Sequence, residues 1–189
     1  MIDLTMHEER LQHAIDRAKE RNILIPTFAQ MQNPALIPEN VKKALKNVGL
    51  WDVNPLNLFR ISWHNEPTMQ GGGFGGVNFI ELPSALTGVD ARIIVMCGKW
   101  FPTGCHKVGA SFGCLAPRLV TGQFDPTYNK AVWPSTGNYC RGGAYNSKLL
   151  GCDSIAILPA EMSRERFEWL SKIAGEVIAT PGCESNVKE

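Results

Sequence analysis

Long apolar runs are missing from this sequence. Nothing in its 189 residues approaches the ~18 consecutive apolar residues that a membrane-crossing helix needs. An excess of one charge is missing too. Nineteen Lys and Arg against eighteen Asp and Glu leave a net charge of +1, so nothing electrostatic favours nucleic acid or an anionic membrane surface as a partner. Residues 1–20 are charged and amphipathic and lack the apolar core of a signal peptide, which points to a cytoplasmic protein. Six cysteines occur (Cys97, Cys105, Cys114, Cys140, Cys152 and Cys183), but no Cys-x-x-Cys pair does. His64 and His106 give no zinc-ligand spacing. No metal is expected, and the thiols read as reduced and partly buried. There is no internal repeat and no low-complexity tract.

What is present is ordinary for a globular protein: 44% hydrophobic and 20% charged residues, at a length that suits one domain or two small ones. Residues 5–21 carry Met6, Leu11, Ala14, Ile15 and Ala18 at near-helical spacing, with Thr5 as a candidate N-cap and Glu8 three residues on. A second helix is expected over residues 38–48, with Pro38 at its start and Gly49 past its end. The glycine-rich run 71–76 lacks the lysine of a P-loop and reads as a plain loop. Trp63, His64 and Glu66 before it read as packing or loop anchoring.

From residue 79 onward short apolar runs (91–97, 130–133, 154–158, 176–179) alternate with helical segments (107–119, 138–150, 163–174). This alternation predicts βαβ units, an α/β fold with a parallel twisted sheet and flanking helices. The chain therefore divides into an N-terminal helical and loop extension, 1–78, and an α/β region, 79–189. Residues 184–189 read as the start of a further helix without a cap. That predicts a chain which is the N-terminal part of a longer protein.

Two turns carry unusual residues. The first, Pro102-Thr103-Gly104-Cys105-His106-Lys107, is expected to follow a strand of the sheet, where open α/β folds bind ligands. A lysine at a helix start opposes the helix dipole. His106 beside it, with partial desolvation, would favour the neutral amine that an imine-forming lysine needs. Taken alone, a solvated surface lysine explains Lys107 as well. The second turn, Ser135-Thr136-Gly137-Asn138, sets short hydrogen-bonding side chains around a glycine at a helix N-terminus, where free N–H groups suit a carboxylate. An ordinary Ser/Thr N-cap explains that turn equally well.

Together, the two turns and their spacing resemble fold-type-II pyridoxal-phosphate enzymes, the group of cysteine synthase, threonine dehydratase and the tryptophan synthase β subunit. Residues 102–107 look like the Pro-Thr-Gly-Ser-His-Lys turn of tryptophan synthase β-like proteins, and residues 135–138 like the Thr-Ser-Gly-Asn loop of cysteine synthases. Leu158-Pro159-Ala160-Glu161-Met162-Ser163 and Gly175-Glu176-Val177-Ile178 resemble later cysteine synthase segments, and Asn54-Pro55-Leu56 matches a Thr-Pro-Leu near the start of such enzymes. The resemblance implies a tryptophan synthase β-like fold, here incomplete. It implies pyridoxal 5′-phosphate held in a Schiff base by Lys107, which then acts as the base at Cα. It further implies His106 near the cofactor phosphate, Asn138 on the cofactor's 3′-oxygen, and Ser135, Thr136 and Gly137 on the carboxylate of an amino-acid substrate. The reaction implied is loss of a β-substituent to an aminoacrylate, followed by replacement or deamination, in a homodimer when the protein is full length.

This sequence departs from the pattern at Tyr139 and Cys140, where cysteine synthases carry Thr-Gly, and at Val108-Gly109-Ala110, so no substrate is chosen. No glycine-rich phosphate cup follows Asn138. By the resemblance it belongs to a C-terminal half, and the 189 residues alone are expected to be inactive. Two other readings stand beside this one: a non-catalytic relative with a structural or regulatory role, and an unrelated α/β binder of nucleotides or sugar phosphates.

Overall fold

The protein is described here by a computed structural model covering residues 3–66 and 72–183. Gly71 and the helix expected over 184–189 lie outside the described residues.

The α/β fold is present. Strands β3 (Lys130–Pro134), β4 (Asp153–Pro159) and β5 (Glu176–Thr180) form a parallel sheet in the order β3-β4-β5, with Lys130 opposite Asp153 and Ile155 opposite Glu176. Helices α6 (Asn138–Leu149) and α7 (Arg164–Ile173) connect them, and α5 (Lys107–Val120) packs along α6. Strand alternation decides which face is covered. Ala131, Trp133, Ser154, Ala156 and Leu158 are buried, whereas Val132 and Ile178 on the other side are exposed.

Two adjacent glycines let α6 approach both neighbours. A Cβ on Gly143 would stand 2.1 Å from the Trp133 ring, and one on Gly142 would stand 2.8 Å from the Val108 backbone. The contact is then fixed by hydrogen bonds. Trp133 Nε1 donates to Ser147 Oγ at 3.0 Å, and Asn146 Nδ2 donates to the Val108 carbonyl at 2.7 Å and to Ser111 Oγ at 2.8 Å. All of these side chains are buried, so each bond also avoids an unpaired polar group.

The first strand does not join this sheet. β2 (Ile93–Met96) pairs antiparallel with β1 (Phe79–Leu82), a strand the sequence pattern does not reveal, in a separate two-stranded ribbon. Only residues 83–92, including the single helical turn α4 (Ser84–Thr87), lie between the two strands. So short a connection favours an antiparallel pair, because a parallel crossover takes a dozen residues or more. The run 91–97 is therefore not a member of the parallel series.

The N-terminal segment adds α1 (Glu8–Glu20), α2 (Phe28–Gln32) and α3 (Glu39–Leu45). α1 starts three residues later than its expected cap, Thr5. The His7 N–H pairs with the Thr121 carbonyl at 2.8 Å, which holds His7 outside helical geometry. His13 Nδ1 then meets Asp125 Oδ2 at 2.8 Å and clasps the helix to the turn after α5. α2 is announced by a capping box, Thr27 with Gln30, that the hydrophobic pattern does not show. Ala14, Ile23, Leu58 and Ile61 share one apolar core with α5, α6 and the sheet. Arg60, 3% exposed, binds carbonyls of Leu45, Val48 and Gly72 and so ties α3 to the glycine-rich loop.

Candidate active site

The lysine turn begins with an unusual backbone. Thr103 (φ 64°) and Gly104 (φ 68°) both take left-handed conformations before Cys105. Glycine does so freely, whereas threonine with its branched Cβ is strained there. The Thr103 hydroxyl is also buried without a partner among the described residues. Strain together with an orphaned polar atom is characteristic of functional turns.

His106 is the N-cap residue of α5 and lies stacked on Trp63, with ring centroids 5.7 Å apart and planes 23° apart. Trp63 in turn meets Phe101 edge-on at 4.9 Å. Trp63 thus acts as packing, as expected, and holds the His106 ring. His64 Nδ1 lies 2.9 Å from the Gly75 carbonyl, and Asn65 bridges to Phe74, so this segment anchors the glycine-rich loop. Beside His106 lies an apolar cavity of about 600 Å³, lined in part by Phe28, Met31, Trp63, Val77 and Ala110.

Lys107 is the first residue of α5. It is exposed, and its side chain makes no hydrogen bond or ion pair among the described residues. The desolvation expected from the sequence is therefore not supplied by them. Nor does the turn sit at the carboxyl end of a strand in the parallel sheet, since β2 belongs to the antiparallel ribbon.

The second turn does occupy such a strand end. Ser135 follows β3 directly, and its N–H donates to the Ile157 carbonyl at 3.0 Å. Ser135 and Thr136 are half-buried, Gly137 is buried and serves as the N-cap residue of α6, and Asn138 is exposed as the first helical residue. Neither Ser135 nor Thr136 caps α6 through its side chain, which removes the ordinary N-cap explanation. Among the described residues the N–H groups of Thr136 and Asn138 are without partners, and the Gly137 N–H reaches Ser135 Oγ only at 3.4 Å.

The two turns are joined through one helix contact. Val108, next to Lys107, abuts Gly142, which stands one turn beyond Asn138. Tyr139, where cysteine synthases carry threonine, donates its hydroxyl to Cys114 Sγ at 3.4 Å. Burial and that neighbouring thiol push the Tyr139 phenol up to about 12.

The chain is similar to part of cystathionine beta-synthase of Saccharomyces cerevisiae. The match is 28% identical over 101 residues, 53% of this chain and 20% of that protein, so the chain spans about a fifth of the relative's length. No family model matches the chain.

Two arginines near the second turn carry no motif and are not legible in the sequence. Arg166 of α7 donates from Nη1 to the Thr136 carbonyl at 3.2 Å. Arg141 of α6 lies against the rings of Trp51 and Trp169, which meet edge-on at 6.0 Å, with its guanidinium 5.1 and 5.2 Å from their centroids. Arginine on aromatic faces is a favourable arrangement, worth about 0.5–1 kcal/mol per contact at exposed sites. Among the described residues no group of three or more His, Cys, Asp or Glu is arranged to hold a metal ion, and no helix is long and apolar enough to cross a membrane.

Proposed function

We propose that this chain carries the lysine-bearing region of a pyridoxal-phosphate-dependent lyase or β-replacement enzyme acting on an amino acid. One observation carries the reading. Lys107, its side chain exposed and without a partner among the described residues, heads α5, and the helix packed against α5 begins in a turn whose Thr136 and Asn138 N–H groups are left free for an anion. The likeness to cystathionine beta-synthase, whose name places synthesis at a β position, supports it.

The residues present suit the cofactor in part. Lys107 is free to attach its aldehyde. The ring of His106 is the group that would meet a cofactor phosphate, because the Val108 and Gly109 N–H groups already donate to the Cys105 and His106 carbonyls at 3.2 and 2.9 Å. When bound, pyridoxal phosphate supplies the electron sink that lets a bond at the amino acid Cα break. The chain's own residues do the rest. Ser135, Thr136 and Gly137 would hold the substrate carboxylate, and Asn138 would donate to the cofactor's 3′-oxygen. Lys107, freed as an amine once the substrate's amino group has taken its place on the aldehyde, would take the proton from Cα, and the reaction class implied is loss of a β-substituent with replacement or deamination.

The test uses the chain with pyridoxal 5′-phosphate and borohydride, followed by peptide mapping. The reduced label should concentrate on Lys107 and should disappear from that peptide in Lys107→Ala. A label spread evenly over the surface lysines, with Lys107 no faster than Lys99 or Lys148, would refute the reading.

A further inference from the structure

Arg166 lies in the first turn of α7, yet its guanidinium reaches back to the turn between β3 and α6. Nη1 donates to the Thr136 carbonyl at 3.2 Å and touches Met162 Sδ at 3.0 Å. A Cβ on Gly137 would stand 3.3 Å from Arg166 Cζ, so the guanidinium lies directly against the peptide joining Thr136 to Gly137.

That peptide is trans, as are all described peptide bonds. A trans peptide directs its C=O and its N–H to opposite sides. Holding the Thr136 carbonyl toward α7 therefore turns the Gly137 N–H away from α7. On that far side the N–H meets only Ser135 Oγ, at the long limit of a hydrogen bond. Two neighbouring groups are committed: the Gly137 carbonyl accepts from the Arg141 N–H at 2.9 Å, and the Ser135 N–H donates to the Ile157 carbonyl. The turn thus spends its acceptors on the protein and leaves the Gly137 N–H with one weak partner, between the N–H groups of Thr136 and Asn138.

The charge on Arg166 is also unspent. Among the described residues it forms no ion pair, and its hydrogen bonds go to a neutral carbonyl and a thioether. Arg141, held against its two indoles, stands near enough to repel it, with the Glu165 carboxylate also in range of Arg141. A second cation beside an unpaired one adds positive potential at a turn that already carries the N-terminus of α6.

We propose that Arg166 is a positioning residue for the α-carboxylate of the substrate. By holding the Thr136 carbonyl it presents the Gly137 N–H, together with Ser135 Oγ, to a carboxylate, and its unpaired charge strengthens that contact from behind the peptide. The role rests on the reading of residues 135–138 as the substrate turn.

Backbone amide NMR on the ¹⁵N-labelled chain, titrated with L-serine and separately with acetate, tests both layers. In the wild type the Gly137 amide signal should move saturably with either ligand. Arg166→Ala should shift the Gly137 signal before any ligand is added and weaken serine binding about tenfold, the worth of one charge-assisted hydrogen bond. Free guanidinium ion should restore part of that loss, which a generally loosened fold would not allow. Signals of Ala156 and Leu158 report whether the sheet is intact. If Arg166→Ala does not fold, Arg166→Gln decides, because it removes the charge while keeping an amide donor. Serine affinity unchanged in the folded variant, with the Gly137 signal unmoved, overturns the positioning role alone. A wild-type Gly137 signal that ignores both ligands overturns the substrate turn, and the positioning role with it.

Discussion

Gly143 decides how closely α6 can lie on the sheet, and Gly143→Ala measures that closeness. A Cβ at this position would stand 2.1, 2.5 and 2.6 Å from three atoms of the Trp133 ring. Carbon atoms pack best about 3.5–4.0 Å apart, so the indole or the helix must retreat by more than ~1 Å. Overpacking of this kind costs about 1–3 kcal/mol. The retreat also stretches the buried bond from Trp133 Nε1 to Ser147 Oγ, now 3.0 Å, which adds about 1 kcal/mol. Against this, alanine in a helix interior gains about 0.5–1 kcal/mol over glycine. The net loss should be about 1–3.5 kcal/mol, a fall of about 2–14 °C in the thermal midpoint at this chain length. Gly113→Ala in α5 is the matched control, because nothing lies within 4 Å of its added Cβ. It should stabilise the chain by about 0.5–1 kcal/mol. Urea unfolding followed by circular dichroism and tryptophan emission reads both. The packing argument fails if the two variants shift in the same direction by similar amounts, or if Gly143→Ala is as stable as the wild type.

The His13–Asp125 clasp should give a pH optimum to the anchoring of α1. Burial alone would raise the Asp125 carboxyl, but hydrogen bonds from Thr127 and His13 hold it down at about 2. Its contribution is present above the ordinary aspartate value of 3.8 and is lost as pH falls toward 2. His13 is raised by its bond to Asp125, so its contribution is full below the ordinary 6.5 and fades as pH rises through the elevated value. The difference in midpoint between wild type and His13→Ala should therefore be largest between about pH 4 and 6.5; a difference independent of pH would refute the clasp. Thiol labelling offers a separate check. Burial pushes Cys140 up to about 11 and Cys152 up to about 12, whereas Cys114 is exposed. In the native chain Cys114 should react first and the other two only after unfolding, and equal native rates would contradict the burial of α6 and β4.

Long periodic elements were legible because their signals are local. The three parallel strands and helices α5, α6 and α7 fall within one or two residues of where hydrophobic period and glycine placement put them. The partner of β2 was not legible. Periodicity marks a strand but says nothing about which edge it meets, and Phe79–Leu82 is too short and too exposed to show alternation. The turn at 135–138 could be located at a helix start from sequence because serine, threonine, asparagine and glycine mark such starts. Arg166 could not, since its partner lies thirty positions away and is a backbone carbonyl, which leaves no trace in side-chain pattern. Thr103 is similar: nothing local announces a left-handed threonine.

The glycine-rich loop bears on where a cofactor phosphate would be held. Its composition invites a phosphate reading, but its geometry opposes one. Glu66 lies against it, with carboxylate oxygens 2.8 Å from a Cβ on Gly75 and 3.3 Å from one on Gly73. A fixed anion at that distance repels a second one. The loop is also tied down elsewhere, through Arg60 on the Gly72 carbonyl and Asn65 on Phe74. The start of α5 is no open alternative, because its Val108 and Gly109 N–H groups already donate to the Cys105 and His106 carbonyls. The left-handed Thr103 and Gly104 turn the chain into Cys105 ahead of α5, where Trp63 stacks on the His106 ring.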